Sequence, residues 1–246
     1  MTETYLIYGG TGGIGAATAR LLAKSGHHVH LVARERPALQ ALANDIGGTF
    51  TVGDLAADGM AEAATSDAVA AGHGAINGLV YAVGTINLKP FARLTSADFL
   101  RDFEVNALWA VKTIQSALPH LQKAEGTAGI VLFSTVAVAQ GFAAHASVAM
   151  AKGAIEGLTL SLAAELAPKI RVNCIAPSLT RTKLAARLVA SAPVADAIAA
   201  MHALQRLGTG EDIAPLAALL ASGQGSWITG QIIGVDGGRS SLRTKG

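Results

Sequence analysis

The chain has 246 residues, 51% of them hydrophobic and only 15% charged, with 19 Lys and Arg against 17 Asp and Glu. An average globular domain carries roughly 25% charged residues, so this composition excludes a disordered chain, and scattered, nearly balanced charge excludes the basic stripe of a nucleic-acid binder. The single cysteine, Cys174, excludes an internal disulfide framework and a cysteine-based zinc site.

The residues around Cys174, Val172 and Ile175, make it a buried thiol. Met1-Thr2-Glu3-Thr4 lacks the basic start and apolar run of a signal peptide. Ala68 to Leu88 and Gly126 to Ala151 carry no charge, but polar residues and glycines interrupt both. They read as buried strands with flanking loops. The expectation is a cytoplasmic protein acting on a small molecule, with neither membrane nor nucleic acid as partner.

Short β-like runs alternate with longer amphipathic ones. Tyr5 to Tyr8 is a strand, followed by glycines and a helix-like stretch from Ala16 to Ala23 that stops at Gly26. Val29 to Ala33 is a strand, Pro37 to Ile46 a helix, and Phe50 to Val52 a short strand ending at Gly53-Asp54. Gly78 to Ala82 is the fourth strand. Thr95 to Asp98 forms a capping-box pattern that opens one long helix through Leu121. Gly129 to Phe133 is a strand, Ala149 to Leu166 a helix, Ile170 to Ile175 a strand, and Gln231 to Val235 the seventh strand.

Continuously apolar strands separated by helices specify a parallel sheet covered on both faces. The expected fold is α/β, a Rossmann-type doubly wound seven-stranded parallel sheet forming one domain over residues 1–246. Ligands in such sheets bind beyond the carboxyl ends of the strands, which places function near Gly9, Asp54, Gly84, Ser134 and Pro177. Thr180 to Leu207, rich in Ala and Leu, reads as a lid over the substrate.

The turn Tyr8-Gly9-Gly10-Thr11-Gly12-Gly13-Ile14-Gly15 lies between the first strand and the first helix. Glycine there lets backbone approach a pyrophosphate, and the helix start offers free N–H groups and the positive dipole end. Gly9, Thr11, Gly12, Gly13, Ile14 and Gly15 are the candidate phosphate-binding residues.

With Gly9-x-x-x-Gly13-Ile14-Gly15 the chain resembles the TGxxxGIG motif of the short-chain dehydrogenase/reductase family, Tyr8 standing in place of the threonine. The resemblance runs along nearly the whole chain. Asp54-Leu55 resembles the family's adenine-contacting pair. Tyr81-Ala82-Val83-Gly84 stands where the family has NNAG, and Asn106 matches its fourth-helix asparagine. Arg171-Val172-Asn173-Cys174-Ile175-Ala176-Pro177-Ser178 resembles RVNxIxPG with Ser178 for the glycine, and Thr182 falls on the nicotinamide-amide threonine. Arg206-Leu207-Gly208, Ile228-Thr229-Gly230-Gln231 and Val235-Asp236-Gly237-Gly238 resemble the C-terminal signature. The implied cofactor-binding set therefore adds Ala33, Arg34, Asp54, Leu55, Ala82, Val83, Gly84, Lys152, Pro177, Ser178, Leu179 and Thr182.

Family members that use NAD(H) carry an acidic residue at the end of the second strand. This chain has Ala33-Arg34 there. A guanidinium in that place meets a 2′-phosphate in a charge-assisted contact, so NADP(H) is the preferred cofactor, with NAD(H) possible. Arg34 also reads as a solvated residue beside Glu35 and Arg36.

The family's chemistry uses a tyrosine four residues before a lysine, both on one helical face. Aligning His145-Ala146-Ser147-Val148-Ala149-Met150-Ala151-Lys152 with YxxxK puts Lys152 on the lysine and Val148 on the tyrosine. The only tyrosines are Tyr5, Tyr8 and Tyr81, none near Lys152 in sequence. Thr135 falls on the family's serine, with Ser134 beside it. The resemblance thus implies a catalytic set of Asn106, Thr135 and Lys152 with His145 as substitute acid, although His145 reads equally as structural. Tyr81 is a weaker candidate, expected to face the cofactor cleft near the ribose. Two functions follow: an active reductase of carbonyl or C=C compounds with a non-standard proton donor, or a dinucleotide-binding sensor or inactive partner subunit.

Apolar residues on more than one face of the two long helices, among them Trp109, Leu158 and Leu162, mark them as buried, in a monomer core or, as the resemblance implies, paired across a subunit axis in a homotetramer or homodimer. No His, Asp and Glu cluster has metal-ligand spacing. His27, His28 and His30 are expected on alternating sides of the second strand.

Overall fold

The computed structural model describes residues 2–72 and 74–243, so the first and last positions of the 1–246 domain lie outside the described residues. In chain order the elements are β1 (Thr4–Tyr8), α1 (Gly13–Lys24), β2 (His28–Ala33), α2 (Arg36–Ile46), β3 (Thr49–Val52), α3 (Met60–Ala71), β4 (Gly78–Tyr81), α4 (Ser96–Phe103), α5 (Trp109–Leu121), β5 (Ala128–Phe133), α6 (Val136–Gln140), α7 (Ala146–Leu166), β6 (Ile170–Pro177), α8 (Ala192–Ala199), α9 (Gly210–Ala221) and β7 (Ile232–Val235). The seven strands form one parallel sheet in the order β3-β2-β1-β4-β5-β6-β7. The order reverses between β1 and β4, which opens a crevice at their carboxyl ends.

Strand alternation splits the core into two layers. Leu6 and Tyr8 of β1 face Ala64 of α3, Trp109 of α5 and Ile155 of α7, whereas Tyr5 and Ile7 face Leu22 of α1, Leu39 of α2 and Ile213 of α9. Both sheet faces are covered, which explains strands without polar alternation. Gly78 and Gly129 let α9 settle against the sheet; a Cβ on Gly129 would stand 2.5 Å from the Ala221 carbonyl oxygen.

The motif residues after α7 prove to be internal fasteners. Arg171 is buried, and its guanidinium donates to the carbonyls of Leu220, Ser222 and Gly225 at 2.8–2.9 Å, satisfying carbonyls left open where α9 ends. Asn173 donates to Ile228 O at 2.8 Å and accepts from Gln231 N at 3.1 Å, fixing the approach to β7.

The capping box opens α4 as expected, with Thr95 and Asp98 bonded reciprocally, but the helix expected through Leu121 is broken. Glu104–Leu108 form a widened π-turn between α4 and α5. The added residue turns Asn106 inward, where its amide donates to Asp102 O at 2.8 Å and Thr85 Oγ1 at 2.7 Å. Helix α7 begins at Ala146, three residues earlier than expected, and β7 at Ile232, one later. Helices α3, α6, α8 and α9 were not anticipated; α3 and α9 are short Ala-rich stretches whose small residues give little periodic contrast. His28 and His30 do not alternate sides. Two residues apart on a strand, they share one face, and both bond the Thr49 hydroxyl, at 3.0 and 2.8 Å. Among the described residues no helix is long and apolar enough to cross a membrane.

Candidate active site

Gly9 adopts φ +76°, and a Cβ there would lie 2.5 Å from Ala82 O, so the β1–α1 turn can hug the end of β4 only as glycine. A Cβ on Gly15 would collide with Gly9 O. Gly12 caps α1 without any side-chain bond, and the first turn of α1 holds no acidic residue. The Gly13, Ile14 and Gly15 amides therefore open α1 with neither capping side chain nor competing carboxylate, which suits a pyrophosphate. Thr182 lies over this turn; a Cβ on Gly13 would stand 2.8 Å from its methyl group.

At the other end of the crevice, Arg34 follows β2 and its Nη1 lies 3.8 Å from Asp54 Oδ2 beyond β3, both side chains well exposed. Ala33 offers no carboxylate. Leu55 is a buried residue of the core beneath α3. The Arg34 guanidinium faces solvent, with the Asp54 carboxylate beside it.

Between these ends a cavity of about 640 Å³ opens along the strand tips. Ile14, Ala82, Val83, Gly84 and Thr85 form one side, Pro177, Ser178, Leu179 and Thr182 another, and Thr135, His145, Val148 and Lys152 the region between them. Most of the expected site residues therefore meet in one place. Lys152 is buried at the cavity wall; its ammonium donates to Phe133 O at 2.8 Å, and burial lowers its pKa to about 8. Val148, one helical turn before it, is buried at the wall of the same cavity.

Thr135 lines the cavity and caps α6, its hydroxyl accepting from Ala137 N at 3.3 Å. Ser134 also lines it, but its hydroxyl is committed to Glu156 Oε1 at 2.5 Å. His145 Nδ1 donates to Ala143 O at 2.8 Å, an acceptor that fixes the proton on that nitrogen, and its ring meets Phe142 edge-on at 5.4 Å. The residue before it, Ala144, is held at φ +62°, a conformation that costs an alanine about 1 kcal/mol.

Of the residues expected at the reacting end, Asn106 and Tyr81 do not reach the cavity. Asn106 is fully buried behind its wall and holds Thr85, whose hydroxyl donates to Asp102 Oδ1 at 2.7 Å. A Cβ on Gly84 would stand 2.9 Å from Asn106 Oδ1 and 3.3 Å from Lys152 Nζ, so Gly84 is the only residue type that fits between them. Tyr81 does not face the cleft. Its hydroxyl donates to Val105 O at 2.6 Å inside the layer of α5, and burial raises its pKa above the phenol range. Strand alternation decides this: Tyr81 points to the α3–α5 side while Ala82 and Gly84 continue along the crevice.

Within and beyond the segment read as a lid, several individual contributors carry no pattern in the sequence. The segment 180–207 brings Leu184, Leu188 and, through α8, Val194 and Ile198 over the cavity. His202 fastens it: Nδ1 donates to Ile198 O at 2.9 Å, and Nε2 pairs with the Ser178 hydroxyl at 2.8 Å. The pair gives a role to the serine that replaces the expected glycine. Phe142 and Arg239 complete the wall.

Residues 9–240 match the family model described as Enoyl-(Acyl carrier protein) reductase. A tropinone reductase homolog of Arabidopsis thaliana is 35% identical over 242 residues, covering 96% of this chain and 91% of the relative. The solved structure of a short-chain type dehydrogenase/reductase from Mycobacterium ulcerans superposes with a TM-score of 0.90 at 28% identity, over 98% of this chain and 90% of that one. ElxO with NADP bound superposes with a TM-score of 0.88 at 27% identity, over 98% of this chain and all of that one.

Proposed function

Because the chain belongs to the short-chain dehydrogenase/reductase family, we propose that this oxidoreductase uses NADP(H) to reduce a small apolar carbonyl or activated C=C compound, with a proton donor other than a tyrosine. The observation that carries the reading is the convergence of Lys152, Thr135 and the bare α1 amides on one largely apolar cavity. A nicotinamide dinucleotide, when bound, supplies the hydride.

The chain's own residues do the rest. Gly13, Ile14 and Gly15 hold the pyrophosphate, Arg34 the 2′-phosphate, and Thr182 with Pro177, Ser178 and Leu179 the nicotinamide end. Lys152 is held by Phe133 O where it can donate to the nicotinamide ribose. Thr135 positions the substrate oxygen, and Asn106 supports the wall through Thr85 and Gly84. The residues 180–207 close over the substrate and exclude water. His145 keeps its Nδ1 proton on Ala143 O, so protonation at Nε2 gives it a proton to deliver. Reduction of an activated C=C bond places less demand on that donor, because hydride transfer leaves a delocalised enolate rather than a strongly basic alkoxide. Support for both substrate classes comes from an enoyl-reductase family model and a tropinone reductase relative. The large exposed side chains Leu100 of α4, Leu108 of the π-turn, Leu160 of α7 and Trp227 before β7 support a homotetramer or homodimer.

The second reading is a dinucleotide-binding sensor or inactive partner subunit. It is favoured by one observation, the buried valine at 148 where the resemblance expects the acid. Purified protein is mixed with NADPH and a panel of ketones, enones and enoyl thioesters, and absorbance of the reduced nicotinamide is followed. Turnover with any of them supports the reductase. Tight NADPH binding without turnover supports the sensor, and a His145→Ala variant with unchanged turnover removes His145 as donor.

A further inference from the structure

Arg239 is the feature that the reductase reading leaves unused. It lies beyond β7, yet it lines the cavity. Gln140 at the end of α6 donates its amide to Arg239 O at 3.2 Å and to Ser240 O at 3.0 Å, pinning the chain segment there. Asp236 accepts from Gly238 N at 2.9 Å and from the amide and hydroxyl of Ser240, and this closes the turn that carries Arg239 back to the cavity.

The guanidinium then stacks over the Phe142 ring, 4.7 Å from its centroid, which orients its plane and restricts its rotamers. Among the described residues it has no carboxylate within ion-pair distance and no side-chain hydrogen bond. Asp236 is near enough to be felt electrostatically, but its oxygens are occupied by the turn. The cavity wall contains no Asp or Glu, and apart from His145 its charged groups are Lys152 and Arg239. Lys152 lies at the buried end of the cavity, bonded to Phe133 O. Arg239 over the Phe142 ring and His145 at its edge form a contiguous run of contacts from the C-terminal segment to the start of α7.

A guanidinium with five donors and no acceptor, partly desolvated on an apolar wall, is matched to a planar anion. We propose that Arg239 is a specificity-determining residue that binds the carboxylate of an amphiphilic substrate, a keto or unsaturated acid whose apolar body fills the cavity. The proposal rests on the oxidoreductase reading for the reducible group; the carboxylate subsite itself is independent of turnover.

The test therefore reads binding. Calorimetry of the protein saturated with NADPH, whose reduced ring is uncharged, compares 3-phenylpropanoate with 3-phenylpropanamide, two probes of one shape and different charge. Wild type is expected to bind the acid at least about tenfold more tightly, the worth of one charge-assisted pair. Arg239→Leu removes that advantage and leaves amide binding within about twofold, while Arg239→Lys restores part of it. Equal binding of acid and amide by wild type, no binding of either, or an equal loss of both in Arg239→Leu overturns the proposal. The ketone and enone panel runs separately, so a carboxylate subsite without turnover refutes the reductase reading alone.

Discussion

Restoring a phenol at position 148 is the sharpest perturbation of the site. In Val148→Tyr the new ring starts from a position that already lines the cavity, so it extends into open space rather than into the packed core. Lys152 lies four residues on along α7, which on a helix puts the two Cβ atoms about 5–6 Å apart and lets the ammonium and the phenol oxygen take a similar spacing. At that separation and an effective dielectric of about 20, the ammonium stabilises a phenolate by about 3 kcal/mol, or about 2 pKa units. A phenol of ordinary pKa near 10 then titrates near 8, within reach of a working proton donor at neutral pH.

General acid catalysis contributes about 10²–10⁴-fold. The variant should therefore raise kcat/KM for ketones by at least about a hundredfold over wild type and that for enones by a smaller factor, because C=C reduction leans less on the donor. The assay follows NADPH consumption from pH 6 to 9, with thermal melting to confirm that the fold is retained. Carbonyl reduction that stays flat across that range, in a variant that melts like wild type and still binds NADPH, refutes the geometry assigned to Val148 and Lys152.

Arg34→Ala should weaken NADPH about 5- to 30-fold and leave NADH within about twofold, since an exposed guanidinium contributes about 1–2 kcal/mol to a 2′-phosphate; equal effects on both cofactors would remove the NADP(H) preference. His30 should make stability pH-dependent. Burial lowers its pKa from 6.5 to about 4, while both ring nitrogens are held by Thr49 and Thr51 at 2.8 Å. The unfolded chain takes up a proton below about 6.5 that the folded one refuses until about 4, so stability falls through that window on acidification, by up to about 3 kcal/mol. Chemical denaturation of wild type and His30→Gln at pH 7 and pH 4.5 checks it: the variant should lose less on going to low pH, and parallel losses would count against His30.

The sequence by itself determined the sheet and the glycine-rich turn between β1 and α1. Runs such as Leu79-Val80 and Ile130-Val131-Leu132 are buried on both sides in the parallel ladder, and local composition suffices to report that. The glycines between β1 and α1 are local too, as is the helical spacing from Val148 to Lys152. What only the tertiary structure decided depends on contacts distant in the chain. The π-turn that buries Asn106 follows from its bonds to Thr85, 21 residues earlier. Ser178 acquires a meaning from His202, 24 residues later. Arg239 reaches the cavity because Gln140, 99 residues before it, holds its carbonyl. Tyr81 illustrates the converse. It ends the right strand, but pleat parity turns its hydroxyl into the core. Sequence periodicity reports which residues avoid water; which polar groups then meet depends on how the strand ends and returning segments are packed together, and no local pattern encodes that.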